Sequence, residues 1–151
     1  MKKTLFTIIC ALMAFASNAQ DLNSKGDNIL GNYLSIKDGG KSKIKITKAA
    51  DGTYTAQVYW VEKALDANGN KRKDVKNPDK SLRNVDLDKV ILIKGLKYDA
   101  KGKEWTDTKI YDPGSGKIYS VDIEFKDAKT LKVYGNILGI GKTVYWTRIE
   151  E

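Results

Sequence analysis

The sequence predicts an all-β domain: an antiparallel up-and-down β-barrel of about eight strands, with one long loop carrying a short helix. Three observations predict it. Short runs of alternating apolar and polar residues recur between turn residues. No run after residue 19 keeps a helical period. The runs also follow one another as hairpins, without the long crossovers that parallel strands require.

The chain opens on Met1-Lys2-Lys3, an apolar run over residues 5–15, and Ala16-Ser17-Asn18-Ala19. A basic start, a short apolar core and a small-x-small end read as a secretory signal peptide cut between Ala19 and Gln20. The run is too short to cross a bilayer, which takes about 20 residues, so the chain is not expected to span a membrane. Residues 1–19 are therefore expected to be a cleaved leader, 20–28 a short lead, and 29–150 a single barrel domain. The expected destination is the periplasm or the exterior.

Cleavage there has chemical consequences. The chain has 151 residues, a net charge of +8, no His, one Cys and two Met. Cys10, Met1 and Met13 all lie in the leader, and losing Lys2 and Lys3 lowers the charge to +6. No disulfide is available, so stability must come from a hydrophobic core. No thiolate, imidazole or zinc site of the usual ligands is available either. Neither metal nor cofactor is expected, and no catalytic residue is assigned. The lysine excess suits a solvated face, or an anionic partner such as a lipid head group or acidic glycan. Export disfavours nucleic acid, which is not an expected partner.

The strands follow in order. Ile44 and Ile46 alternate with Lys43, Lys45 and Thr47. Asp51-Gly52 suits a tight hairpin turn, because glycine takes positive φ without steric cost. Tyr54, Ala56, Val58 and Trp60 share one face of the next strand. The continuous apolar run 90–93 predicts a strand buried on both faces or close to it. Residues 99–102 form a turn. Tyr119, Val121, Ile123 and Phe125 mark the clearest half-buried strand, and a polar turn follows at 126–129. Leu131, Val133 and Gly135 begin the next strand. Residues 143–149 form the last, with Val144 and Trp146 on one face.

Residues 63–84 interrupt this rhythm. A connection of that length without strand signal is often functional, here as a lid over the barrel mouth. Asn77 suits a helix cap, Pro78 the first helical position and Asp79 the positive end of the dipole. One or two turns are expected, ending near Asn84 with Leu82 facing inward.

Several motifs touch chemistry. Asp66-Ala67-Asn68-Gly69-Asn70 opens like a calcium loop, but Lys71 stands where glycine is needed and Asn77 where a bidentate glutamate is needed. It reads as a polar turn. Lys71-Arg72-Lys73 is either a solvated loop tip or a grip for an anion. Asp112-Pro113-Gly114-Ser115-Gly116 is a strong turn signal, in which Asp112 either caps its own turn or points into the mouth. Ser115 has no histidine to activate it. Nothing sets Glu62, Glu104, Asp107 or Asp112 at a working distance from another carboxylate, so an enzyme is not the expectation.

Trp60, Trp105 and Trp146, with Tyr33, Tyr111 and Tyr119, supply either a core or the walls of a ligand cavity. Asn77 or Arg83, if placed among them, requires a partner, and Asp112 is the nominated acid. The candidate ligand-binding set is therefore Asn77, Arg83, Asp112, Tyr119, Trp60 and Trp105. Arg83 would receive an anionic or carbonyl group, with Trp60, Trp105 and Tyr119 as apolar walls.

A longer ordered pattern runs through the chain. It comprises Asn77-Pro78-Asp79, Leu82-Arg83-Asn84, Gly95-Leu96, Trp105, Ile110-Tyr111-Asp112-Pro113, Gly116-Lys117, Tyr119, Leu131, Gly135, Gly141-Lys142-Thr143 and Trp146-Thr147-Arg148. The pattern resembles the exported bacterial family catalogued as Domain of Unknown Function 2147, over residues 29–149. Gly31-Asn32-Tyr33 resembles its opening motif, where Gly-x-Trp is more usual. Asp107-Thr108 stands where the family tends to have a glycine pair, and Asn136-Ile137 replaces an aromatic. The resemblance implies a lipocalin-like, or calycin-like, barrel and export. It implies no activity.

The resulting expectation is an exported, monomeric module that binds a small molecule, anionic or amphipathic, at the barrel mouth. The alternative is an envelope-associated structural or interaction factor acting through its basic surface. A carboxylate-dependent enzyme is the third reading.

Overall fold

A computed structural model describes residues 22–151. The expected leader lies outside the described residues. The strands are β1 (Gly31–Lys37), β2 (Gly40–Lys48), β3 (Tyr54–Val61), β4 (Ile91–Asp99), β5 (Glu104–Asp112), β6 (Lys117–Phe125), β7 (Thr130–Ile137) and β8 (Ile140–Ile149). Each pairs antiparallel with the next, and β8 returns to β1, so the eight strands close into an up-and-down barrel. The closing seam pairs residues 32–35 of β1 with 146–149 of β8, so each strand has a neighbour on both sides over part of its length.

The period-two pattern accounts for most of the core. Tyr119, Val121, Ile123 and Phe125 of β6 are all buried, as are Leu131, Val133 and Gly135 of β7. At the Asp51-Gly52 turn, Gly52 takes φ +85° and its N–H reaches Ala49 O at 3.0 Å. Two strands depart from the expected pattern. Val90 and Ile93 are buried, but Ile91 is 46% exposed, so the run 90–93 is not covered on both faces. A barrel one sheet thick leaves the outer face of β4 to solvent. In β3, Lys43 pairs with Trp60 while Ile44 pairs with Val58, so Tyr59 is the extra residue of a bulge. The bulge reverses the alternation and sends Trp60 outward, beneath the Lys43 ammonium at 5.4 Å.

One end of the barrel is plugged by residues 22–30, whose 3₁₀ turn spans Gly26–Ile29. Ile29 is fully buried. Asn23 donates to Phe125 O at 3.1 Å and accepts from Phe125 N at 2.7 Å. Tyr98 Oη donates to Asn23 O at 2.6 Å, and Trp105 Nε1 to Gly26 O at 2.9 Å. Arg148 Nη2 donates to Asn28 O and, at 2.7 Å, to Tyr33 Oη. Its guanidinium lies 5.4 Å from the Tyr33 ring and 5.1 Å from that of Phe125. Burial pushes the Tyr33 hydroxyl pKa up, and Arg148 only partly offsets this.

The β3–β4 connection, residues 62–90, is ordered. It holds two isolated bridges, Leu65 with Lys71 and Lys73 with Asp86, and 3₁₀ turns at Lys80–Leu82 and Leu87–Lys89. The Asp66 carboxylate is spent on its own turn, accepting from Asn68 N at 2.9 Å and Asn70 N at 3.0 Å. The short helix is present but shifted. Asp79, not Asn77, is its cap, accepting from Ser81 N at 2.9 Å. Leu82 does not face inward; it is 45% exposed, on the solvent side of the loop.

Candidate functional site: a calyx with a basic rim

Strand polarity gives the barrel two unlike ends. β1, β3, β5 and β7 all run away from the plug, so the connections 37–40, 62–90, 112–117 and 137–140 ring the opposite end. That end opens into a cavity of about 530 Å³. Its walls include Ile44, Val58, Ile110, Val133 and Val144, with Tyr111, Tyr119 and Trp146 as the aromatic members. Lys37, Lys41, Lys63, Arg72 and Lys142 also line it. The strand ends and the long loop carry these cations to the rim.

The rim cations differ in their partners. Lys37 Nζ lies 2.6 Å from Asp112 Oδ2, and Lys41 Nζ lies 3.6 Å from Glu62. Among the described residues, Lys63, Arg72 and Lys142 have no carboxylate partner. Arg72 Nη1 donates instead to Lys63 O at 3.1 Å. The basic triplet therefore divides. Lys71 pairs with Asp88 at 2.8 Å, Lys73 pairs with Asp86, and Arg72 alone turns to the cavity. Alternation along the bridged segment produces this split.

Asp112 serves both of the roles open to it. It accepts from Gly114 N at 3.1 Å and Ser115 Oγ at 2.8 Å, closing its own turn. It also borders the cavity, as does Tyr119. Burial works to raise the Asp112 pKa, but the Lys37 ammonium and the Ser115 hydroxyl outweigh it and hold the carboxyl below its ordinary value.

The long loop is latched across one side of the mouth. Asp74 is 2% exposed and accepts from Tyr111 Oη at 2.7 Å and Asn77 Nδ2 at 2.7 Å. Burial and the Asp74 carboxylate push the Tyr111 hydroxyl pKa far up. Arg83 Nε donates to Asn77 O at 2.7 Å, bracing the latch from its exposed side. Lys76 Nζ donates to Gly114 O at 2.6 Å. Gly116, at φ +72°, sits where a Cβ would fall 2.5 Å from Lys76 O, so the loop meets the β5–β6 turn backbone to backbone.

The cavity thus brings together Asp112 and Tyr119, with Tyr111 and Trp146. The other candidates lie elsewhere. Trp105 points inward but sits at the start of β5, sealed at the base against Tyr98 and Phe125. Trp60 is outside the barrel because of the β3 bulge. Asn77 and Arg83 belong to the latch, and the acid between them and the barrel is Asp74 rather than Asp112. Lys37, Lys63 and Asp74 were not marked by any local motif, and Lys142 only as part of Gly141-Lys142-Thr143, with no role. Counting hairpins would have found the three lysines, since alternate connections fall at the same end.

A closed eight-stranded antiparallel barrel, plugged at one end and open at the other, defines a lipocalin-like protein. The solved structure of protein HP1028 from the human pathogen Helicobacter pylori, described as belonging to the lipocalin family, is similar. The TM-score is 0.62 and the identity 25%, over 81% of this chain and 83% of that one. The chain belongs to the family described as "Uncharacterized protein conserved in bacteria (DUF2147)", whose model matches residues 31–148. Comparison with curated proteins gives no match.

Proposed function

We propose that this protein is an exported, monomeric binding module whose calyx holds a small amphipathic anion. The apolar part of the ligand lies against Ile44, Val58, Val133 and Trp146, and its head group meets Lys63, Arg72 and Lys142. One observation carries this reading: an apolar cavity whose rim bears cations with no acidic partner among the described residues. A buried carboxylate at the rim would neutralise such cations; Asp112 does so only for Lys37. The volume, about 530 Å³, falls among those of small-molecule sites. The leader-like residues 1–19 support export, with cleavage between Ala19 and Gln20.

Tryptophan fluorescence tests this directly, because Trp146 borders the cavity while Trp105 is sealed away. In a Trp60→Phe variant, titration with a medium-chain fatty acid should give a saturable change in emission. The alkyl trimethylammonium of equal chain length should bind about tenfold more weakly or less. No saturable change with either, across chain lengths, would sink the reading.

The use of the basic triplet as a docking surface has less support. Lys71 and Lys73 are paired with Asp88 and Asp86 inside their own loop.

A further inference from the structure

The β7–β8 turn places two large apolar side chains in solvent at the lip of the mouth. Leu138 is 97% exposed and Ile140 69%. Leu138 also stands at φ +51°, followed by Gly139 at φ +81°. Two-residue turns of this kind favour Asn-Gly or Asp-Gly, and a leucine in the left-handed region is strained. Asparagine would relieve both the strain and the exposure, so nothing in the fold of this hairpin calls for leucine. Ile118, at the start of the neighbouring β6, is 42% exposed and lies beside this turn, because Ser120 pairs with Asn136 at the end of β7. Lys142, a cavity-lining cation without a carboxylate partner among the described residues, follows two positions after Ile140.

We propose that this lip docks the barrel, mouth first, on an anionic lipid surface. Leu138 and Ile140 enter the boundary between head groups and acyl chains, and Lys142 meets head-group phosphates. Stable interfacial binding generally requires two signals, apolar insertion and a cationic contact, and this sector supplies both. The net charge, +8 for the whole sequence and +6 without Lys2 and Lys3, has the sign an anionic surface attracts. A narrow protruding turn also suits insertion into a deformable interface better than a flat protein contact. Leu138 and Ile140 are not cavity walls and only Lys142 is shared with the calyx, so the apolar insertion does not depend on the calyx carrying a ligand.

Vesicle co-sedimentation tests it. The chain from Gln20 onward contains the whole barrel and its plug and omits the apolar leader. It should bind vesicles of phosphatidylcholine containing phosphatidylglycerol, and bind pure phosphatidylcholine vesicles much more weakly. Added salt should reduce binding. Leu138→Asn should reduce it about tenfold while leaving the thermal midpoint unchanged or raised, because asparagine tolerates the turn. Adding Ile140→Thr should reduce it further. Absence of wild-type binding to the anionic vesicles would overturn the proposal. So would equal binding to both vesicle types, or binding unaffected by Leu138→Asn. Concentration-dependent dimers that Leu138→Asn dissolves, without vesicle binding, would assign the lip to a second copy and also overturn it. Titration of Leu138→Asn with the fatty acid in solution separates this proposal from the calyx reading, since the variant should keep its wild-type affinity there.

Discussion

The base and the mouth of the barrel use the same kinds of side chain to opposite effect. At the base, the Arg148 guanidinium is enclosed: it donates to the plug and to Tyr33 and lies over two aromatic rings. At the mouth, Arg72 carries the same group to a cavity wall and gives one hydrogen bond to a backbone carbonyl. Trp105 is fully buried, with its indole N–H satisfied by Gly26 O, whereas Trp146, only 2% exposed, lines the cavity. An arginine buried without partners is costly, so the base must satisfy its charge internally and gains rigidity by doing so. The mouth leaves Lys63, Arg72 and Lys142 to water, and hence to any anion that displaces it.

Perturbing each end separately should expose this division. The largest effect is expected at the base. Trp105→Ala should lower unfolding free energy by about 3–5 kcal/mol in urea titration, because it opens a hole among Tyr98, Phe125 and the plug. A much smaller loss would mean that the plug collapses into the space. At the latch, Tyr111→Phe leaves a buried Asp74 oxygen without its donor and should cost about 1–3 kcal/mol. Hydrogen exchange should then accelerate across residues 62–90 more than in the barrel strands.

At the rim, the Asp112 pKa is depressed in the folded state. A depressed carboxylate contributes stability that is full above the unfolded value of about 4 and is lost as pH falls through the folded value. Asp112→Asn should therefore flatten the acid limb of the stability–pH curve, by about 1 kcal/mol or less, since the Lys37 partner is partly exposed. The smallest effect on stability is expected from Lys63→Ala with Lys142→Ala, within about 0.5 kcal/mol. The same pair should weaken binding of an amphipathic anion about tenfold, read by Trp146 emission. A large stability loss with unchanged binding would reverse the roles assigned to the two ends.

The fold was legible where alternation was undisturbed. β6 and β7 follow their period-two pattern residue by residue, and the Asp51-Gly52 turn lies where that pair places it. It was illegible where a single backbone event changed the phase. The Tyr59 bulge exports Trp60, and no local residue type announces it. The site was legible only in part. Asp112 and Tyr119 do border the cavity, but Trp105 shows that facing inward is not the same as facing the cavity. Depth along the barrel decides that, and depth depends on how many hairpins precede a residue. The partners of Asn77 and Arg83 were misassigned because Asp74, in a loop segment without periodicity, carried no signal.

The base has a further consequence, in time rather than in space. Asn23 is bonded to Phe125 across 102 residues of chain, and Asn28 to Arg148 across 120. Neither contact can form until almost the whole polypeptide has emerged, and β1 has no second neighbour until β8 exists. Loops of this length close late, and β-barrels that depend on such non-local pairings fold in about milliseconds to seconds rather than microseconds. The barrel should therefore assemble only after synthesis of the chain is nearly complete.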